Sequence, residues 1–279
     1  MTGGHTPRAL LAACTVRLDT GQGPQGTAFF VAPHYAVTAA HVVGGERDLR
    51  VSLAGEQGSW RGHVEDTRPP AAAAAAGRPY PAPDVALIRI DDGPGHLCAL
   101  LGHQLTGDDA RVIARGHTRT LNGINVTAET ESFDLTGELE TPVPGCTLLK
   151  LGHGQAPPGM SGAPVLDKGT GEVIGMLRTS RDITTDLGAW VVPAPLIREL
   201  WPQQASLGND LFHRDHPLWR QAASQLKHRA TTADPPPAAQ APGGVIYGDV
   251  GAAIYGGNVG VVNIHAGKPG PGGPGAPDG

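Results

Sequence analysis

The sequence predicts an all-β protein built from many short strands. Three observations carry that expectation. Glycine and proline are abundant, 41 and 26 of the 279 residues, while aromatic side chains make up 4% and charged ones 17%; so many turn formers suit short strands better than a helix bundle. Runs of β-branched, aromatic and apolar residues recur along the chain, several of them bounded by Gly and Pro. Their spacing is that of a barrel or a sandwich. Other classes are excluded at the same level. The net charge of −5 leaves no basic footprint for nucleic acid, and no apolar run approaches the ~20 residues of a membrane-spanning helix.

Taken in order, residues 9–18 are expected as the first strand. Leu11-Ala12-Ala13-Cys14 matches a lipoprotein cleavage box. The apolar stretch before the cysteine is only Ala9 to Ala13, however, whereas a signal core needs roughly 7–15 residues. A strand is the preferred reading, and without a signal peptide the chain is expected in the cytoplasm. Cys14, Cys98 and Cys146 agree with that location. They are odd in number, lack the spacing of a disulfide framework and are expected as buried free thiols. Residues 26–31 form a strand that leads through a Pro33-His34 turn into another at 35–38. Strands follow at 51–53 and 60–64. The six alanines at 71–76 suggest a helix, but Pro69, Pro70 and Gly77 flank them, so 66–83 is read as a loop insertion. Further strands are expected at 85–90, 111–114, 124–130, 132–135, 147–151, 164–166, 173–177 and 190–192.

Helices are expected at 193–201 and 217–228, the second capped by Asp215 or His216 with Pro217 at its start. Residues 231–243 are Pro/Ala-rich and read as a linker. Residues 266–279, almost all Gly and Pro, read as a flexible, disordered tail. Between them lies 245–265, with two related stretches, Ile246-Tyr247-Gly248-Asp249 and Ile254-Tyr255-Gly256-Gly257. This patch is rich in β-formers, low in charge and free of proline, the signature of segments that stack as cross-β.

Three short motifs carry chemistry. Thr38-Ala39-Ala40-His41 offers an imidazole. Asp84-Val85-Ala86-Leu87-Ile88 offers a carboxylate at the start of an apolar strand. Gly159-Met160-Ser161-Gly162-Ala163-Pro164 offers a hydroxyl on a Gly-rich turn. A serine hydroxyl is a weak nucleophile unless a base takes its proton, and the base needs a third group to fix its tautomer. Each motif has rivals. His34 precedes His41 but sits in a turn. Asp91 and Asp92 follow the apolar strand and precede Gly93-Pro94, another turn. A lone GxSG is as often a structural hairpin as a catalytic turn. His63, His96, His103, His117, His153 and the 213–216 pair show no metal-ligand spacing; surface or loop positions are expected for them, with His153 near the substrate. No metal and no cofactor are expected.

Taken together, in the order His, Asp, Ser, the motifs resemble the trypsin-like, chymotrypsin-fold serine peptidases; other serine hydrolases place the same residue types in other orders. The resemblance implies two packed six-stranded antiparallel β-barrels over residues 1–203, a helical extension over 204–230 and a flexible tail. It implies Ser161 as nucleophile, His41 as general base and then acid, Asp84 as the orienting carboxylate, and the amides of Gly159 and Ser161 as the oxyanion hole. By the same alignment the substrate pocket has its base near Gln155 and its wall along 175–180, with Thr179 and Ser180 lining it. Relatives that cut after Lys or Arg carry an acidic residue where Gln155 stands, so simple tryptic specificity is not expected. Secreted relatives carry Asp just before the nucleophile, to pair with a newly cut N-terminus. Met160 cannot make that ion pair, so activation by zymogen cleavage is not expected.

The 244–265 patch resembles short amyloid-signalling motifs at the C-termini of bacterial effector domains. That resemblance implies homotypic assembly through 245–265 and a nucleotide-binding receptor with a matching motif. The implied role is an effector in antiviral defence or regulated cell death, cutting a protein substrate of which a gasdermin-like pore former is one class. A last edge strand or a plain Gly-rich linker is the competing reading of the patch. Competing readings of the whole are an HtrA-like quality-control protease and a protease fold kept as a binding scaffold.

Overall fold

The computed structural model describes residues 6–21, 23–53, 59–70, 80–91, 98–102, 110–119, 126–181 and 187–199, together with the backbone of three strands between 245 and 261. The chain divides into two units, Met1–Thr231 and Thr232–Gly279. The expected helix at 217–228, the 231–243 linker and the 266–279 tail lie outside the described residues.

The first unit holds two closed six-stranded antiparallel barrels, the chymotrypsin-like architecture. The first barrel contains β1 (Thr15–Thr20), β2 (Gly23–Ala32), β3 (Tyr35–Thr38), β4 (Asp48–Leu53), β5 (Trp60–Arg68) and β6 (Val85–Ile90), ordered β1-β2-β3-β6-β5-β4. Pairing of β1 with β4 closes it. The second contains β7 (Arg111–Arg119), β8 (Val126–Glu140), β9 (Thr147–Gly152), β10 (Pro164–Asp167), β11 (Val173–Ser180) and β12 (Ala189–Pro193), ordered β10-β11-β12-β9-β8-β7 and closed by β10 against β7. Residues 98–102 run between the barrels. Ala99 N–H donates to Phe30 O of β2, and Val173 N–H of β11 donates to Leu100 O.

The expected first strand is corrected at its start. Pro7–Cys14 is a helix, α1, and the strand begins only at Thr15. The local signals were present: Thr6 caps the helix, accepting from Ala9 N–H with its side chain, and proline stands in the first turn. Leu10, Leu11 and Cys14 share one buried face, the i, i+1, i+4 pattern of a helix laid on a core. The strands expected at 124–130 and 132–135 are one strand, β8. Glu131 does not interrupt it, because β8 stays half-buried there and only Phe133 and Leu135 reach the core. α2 (Ala40–Val43) is a single turn ended by Gly44 in the left-handed region, and α3 (Ala194–Glu199) packs on β11 and β12.

Within the second unit, β13 (Val245–Tyr247), β14 (Ala252–Tyr255) and β15 (Asn258–Val261) form an antiparallel sheet. Its register places Val245, Ile254 and Val259 in one row and Tyr247, Ala252 and Val261 in another. Among the described residues no helix is long and apolar enough to cross a membrane.

Candidate active site

The motifs meet where the two barrels face each other. His41 is carried by α2, directly after β3. Ala39 and Ala40 are fully buried, so the helix seats closely and aims the imidazole at Asp84. Asp84 precedes β6 with φ of +66°, which turns its side chain back toward α2. It holds the histidine at two points: His41 N–H donates to Oδ1 at 2.9 Å, and Nδ1 lies 2.8 Å from Oδ2. A carboxylate oxygen only accepts, so Nδ1 carries the hydrogen and Nε2 is left as the basic nitrogen. The His41 ring is about one-third exposed while Asp84 is 1% exposed; base faces solvent, acid does not.

Ser161 sits in a turn that only glycines can build. Met160 N–H donates to Pro157 O, and Gly159 has φ of +101°. Proline second and a positive-φ glycine third is the pattern of a type II turn. A Cβ at Gly159 would lie 2.3 Å from His117 O, and one at Gly162, with φ of +88°, would lie 1.9 Å from Thr27 O. The turn therefore packs directly on the backbone of both barrels. Among the described residues, the amides of Gly159 and Ser161 make no hydrogen bond, whereas the flanking Met160, Gly162 and Ala163 amides all do. Two free amides either side of one residue are what a developing oxyanion needs.

Thr27, fully buried on β2, ties this turn to the first barrel. Its N–H donates to Ser161 O at 3.0 Å, its hydroxyl donates to Gly159 O at 2.8 Å, and the same hydroxyl accepts from His117 N–H at 2.8 Å. Thr38 donates its hydroxyl to Thr27 O at 2.6 Å. A Cβ on Gly26 would meet Val42 at 2.9 Å and Ser161 O at 3.2 Å, so the serine turn lies against the helix that carries His41. No hydrogen bond joins Ser161 Oγ to His41 in this structure; such bonds are commonly long until a ligand is bound. Met160 is fully buried in the core of the second barrel, against Gly116. It occupies by packing the place where an ion pair was not expected.

Of the pocket residues, Gln155 and Thr179 are exposed and Ser180 is half-buried. Gly154 bridges Leu187, and Ser180 pairs with Ala189. The segment 187–189 thus separates Gln155 from Ser180. The rival groups are elsewhere. His34 is exposed in a turn at φ of +76°. Asp91 is held by His63, which also contacts Asp48. His153 is exposed and bonded to Asp134. His117 is a correction: it is 5% exposed on β7, not on the surface. Burial first, then the charges of Arg115 and Arg17, pull its pKa down to about 4.

Two residues were missed by sequence reasoning. Thr27 gave no signal beyond its place after Gly26. Arg178 did: it interrupts the otherwise apolar run Val173-Ile174-Gly175-Met176-Leu177, and its Nε donates to Asp84 Oδ2 at 3.1 Å. Its Nη2 donates to Tyr80 O. Burial and then the Asp84 charge push the Tyr80 phenol up.

Two barrels with a His–Asp pair and a glycine-flanked serine turn at their junction define the class as a chymotrypsin-fold serine protease. Residues 26–176 match the family model described as a trypsin-like peptidase domain. The chain belongs to that family, whose members are serine endopeptidases. Solved structures agree in fold. The Rv3671c protease from M. tuberculosis in its active form is 19% identical with a TM-score of 0.52, over 70% of this chain and 82% of that one. The MamO protease domain from Magnetospirillum magneticum is 17% identical at 0.53, over 70% of this chain and 100% of its own. The HtrA-type protease AlgW, with a decapeptide, is 14% identical at 0.53, over 74% and 68%. No protein with a curated description matches the chain in sequence.

Proposed function

We propose that this protease cuts protein substrates with Ser161 as nucleophile, His41 as base and Asp84 as orienting acid. The observation that carries the reading is the two-point hold of Asp84 on His41, which leaves Nε2 as the free ring nitrogen, with the serine turn lying against the helix that carries it. Nε2 takes the Ser161 proton as Oγ attacks the peptide carbonyl carbon. The carbonyl oxygen becomes an oxyanion and is received by the free amides of Gly159 and Ser161; removing one such donor typically costs about 10²–10³ in turnover. The imidazolium then protonates the leaving amine as the C–N bond breaks. Water, activated by the same base, releases the acyl group and returns the proton.

Substrate side chains enter beside Gln155, Thr179 and Ser180. None of these is acidic, so a preference for Lys or Arg has no anionic partner there. Recruitment is assigned to 244–265. The β13–β15 sheet supports the reading that this segment is a β-forming assembly motif, templated by a matching motif on a nucleotide-binding receptor in the cytoplasm. Clustered proteases would then cut a defence substrate, for which a gasdermin-like pore former is the proposed class.

The test is active-site labelling with a fluorophosphonate probe. Wild type should label, and Ser161→Ala and His41→Ala should not. Labelling that persists in Ser161→Ala, or folded wild type that stays silent, would sink the triad assignment; the second result would favour a scaffold. Deleting 244–265 should leave labelling intact while abolishing clustering on a receptor. Loss of labelling with unfolding in that deletion would refute the recruitment role.

A further inference from the structure

We propose that Arg178 is a positioning residue of the active site, fixing the Asp84 carboxylate from the opposite barrel. The inference rests on the reading of His41, Asp84 and Ser161 as the triad. Asp84 and His41 belong to the first barrel, Arg178 to β11 of the second. The guanidinium reaches across to Asp84 and is itself partly buried, with a side chain 14% exposed against 1% for the aspartate.

Three donors converge on this one carboxylate. His41 N–H takes Oδ1, while His41 Nδ1 and Arg178 Nε share Oδ2 at 2.8 and 3.1 Å. With only the two bonds from His41, α2 and the aspartate could shift together. The third bond, from a separate strand in the other barrel, fixes the plane of the carboxylate relative to the serine turn, which also belongs to the second barrel. Burying a carboxylate is costly without a paired charge. A neutral imidazole does not supply one, and Arg178 does.

The fork matters as well as the charge. Nε binds Asp84 while Nη2 binds Tyr80 O, so one planar group clamps both ends of the segment 80–84. Tyr80 is anchored in turn by its hydroxyl, which donates to Pro69 O at 3.0 Å. Lysine would bring the charge but not two fixed, divergent donors. Arg178 thereby makes the orientation of the base depend on the docking of the two barrels.

The experiment measures the saturable rate of fluorophosphonate labelling of the full chain. In Arg178→Met the maximal rate should fall by roughly 10- to 100-fold, the scale of a misplaced catalytic group, with half-saturation unchanged. Arg178→Lys should recover part of the loss. Labelling of Arg178→Ala should recover on adding methylguanidinium but not methylammonium. A folded Arg178→Met that labels at the wild-type rate overturns the proposal, as does a lowered melting temperature with unchanged labelling. If Arg178→Met does not fold, Arg178→Lys decides: slowed labelling at native melting temperature supports the proposal, and wild-type labelling overturns it. Failure of the triad reading looks different, since Ser161→Ala would then label like wild type whatever happens at Arg178.

Discussion

Thr27 shows how much one residue can organise. Its hydroxyl and amide hold both carbonyls of the serine turn, at Gly159 and Ser161, and its hydroxyl also satisfies the His117 amide. Valine has nearly the same shape and none of that chemistry. Thr27→Val should leave a buried donor and a buried acceptor unpaired, costing about 1–3 kcal/mol each. It should also slow fluorophosphonate labelling more than it weakens probe binding, because it loosens the turn carrying the free amides. Thr27→Ser should keep most of both. Thermal melting and labelling of the two variants check this. The same scale explains Gly159 and Gly162, where any Cβ collides with backbone. The sequence marked these glycines correctly as turn formers. It did not show what they press against, because His117 and Thr27 are distant in the chain.

At the scale of elements, β7 carries a buried titratable group with no partner for its outer nitrogen. His117 Nε2 has no hydrogen-bond partner among the described residues, and its ring lies near Arg115 and Arg17. In the unfolded chain it takes a proton near pH 6.5, but in the native strand not until about pH 4. Between those values the unfolded state binds more protons. The contribution of His117 to stability is therefore complete above pH 6.5 and is lost as pH falls toward 4, by up to roughly 3 kcal/mol. Denaturant unfolding at several pH values should show that loss, and His117→Gln should flatten it. Elements were legible where the pattern was strongest: β6 reads as an apolar run, Val85 to Ile88 and Ile90, broken only by Arg89, and all but Arg89 is buried. α1 was missed because the strand reading of Thr15 to Leu18 was carried back over Ala-Leu-Leu-Ala-Ala-Cys, although Ala and Leu favour a helix. The Thr6 cap and the packing of Leu10, Leu11 and Cys14 decide it. β8 was broken in two because its solvated half has no hydrophobic period to follow.

For the molecule as a whole, the two barrels are joined by specific ties rather than by core packing alone: Thr27 to the serine turn, Arg178 to Asp84, and the 98–102 segment between β2 and β11. The three cysteines lie inside this assembly, all buried and none in a disulfide. Burial pushes the Cys14 thiol up to about 12 and Cys98 further in the same direction. Buried thiols without access to reagent should be inert. Native protein should not react with a thiol-specific disulfide reagent at pH 8, and all three should react once unfolded in guanidinium. Rapid modification of native protein would mean that the barrels open far more readily than their packing implies.

The sequence by itself determined the class of fold and supplied the candidate reactive groups. Turn residues, apolar runs and the His, Asp, Ser motifs are local features, and local chemistry is written in adjacent residues. Tertiary structure alone decided how those groups are held. Thr27, His117, Gly116 and Arg178 act on residues tens of positions away. Their roles come from closing two barrels and setting them face to face, and that geometry exists only once distant strands have paired.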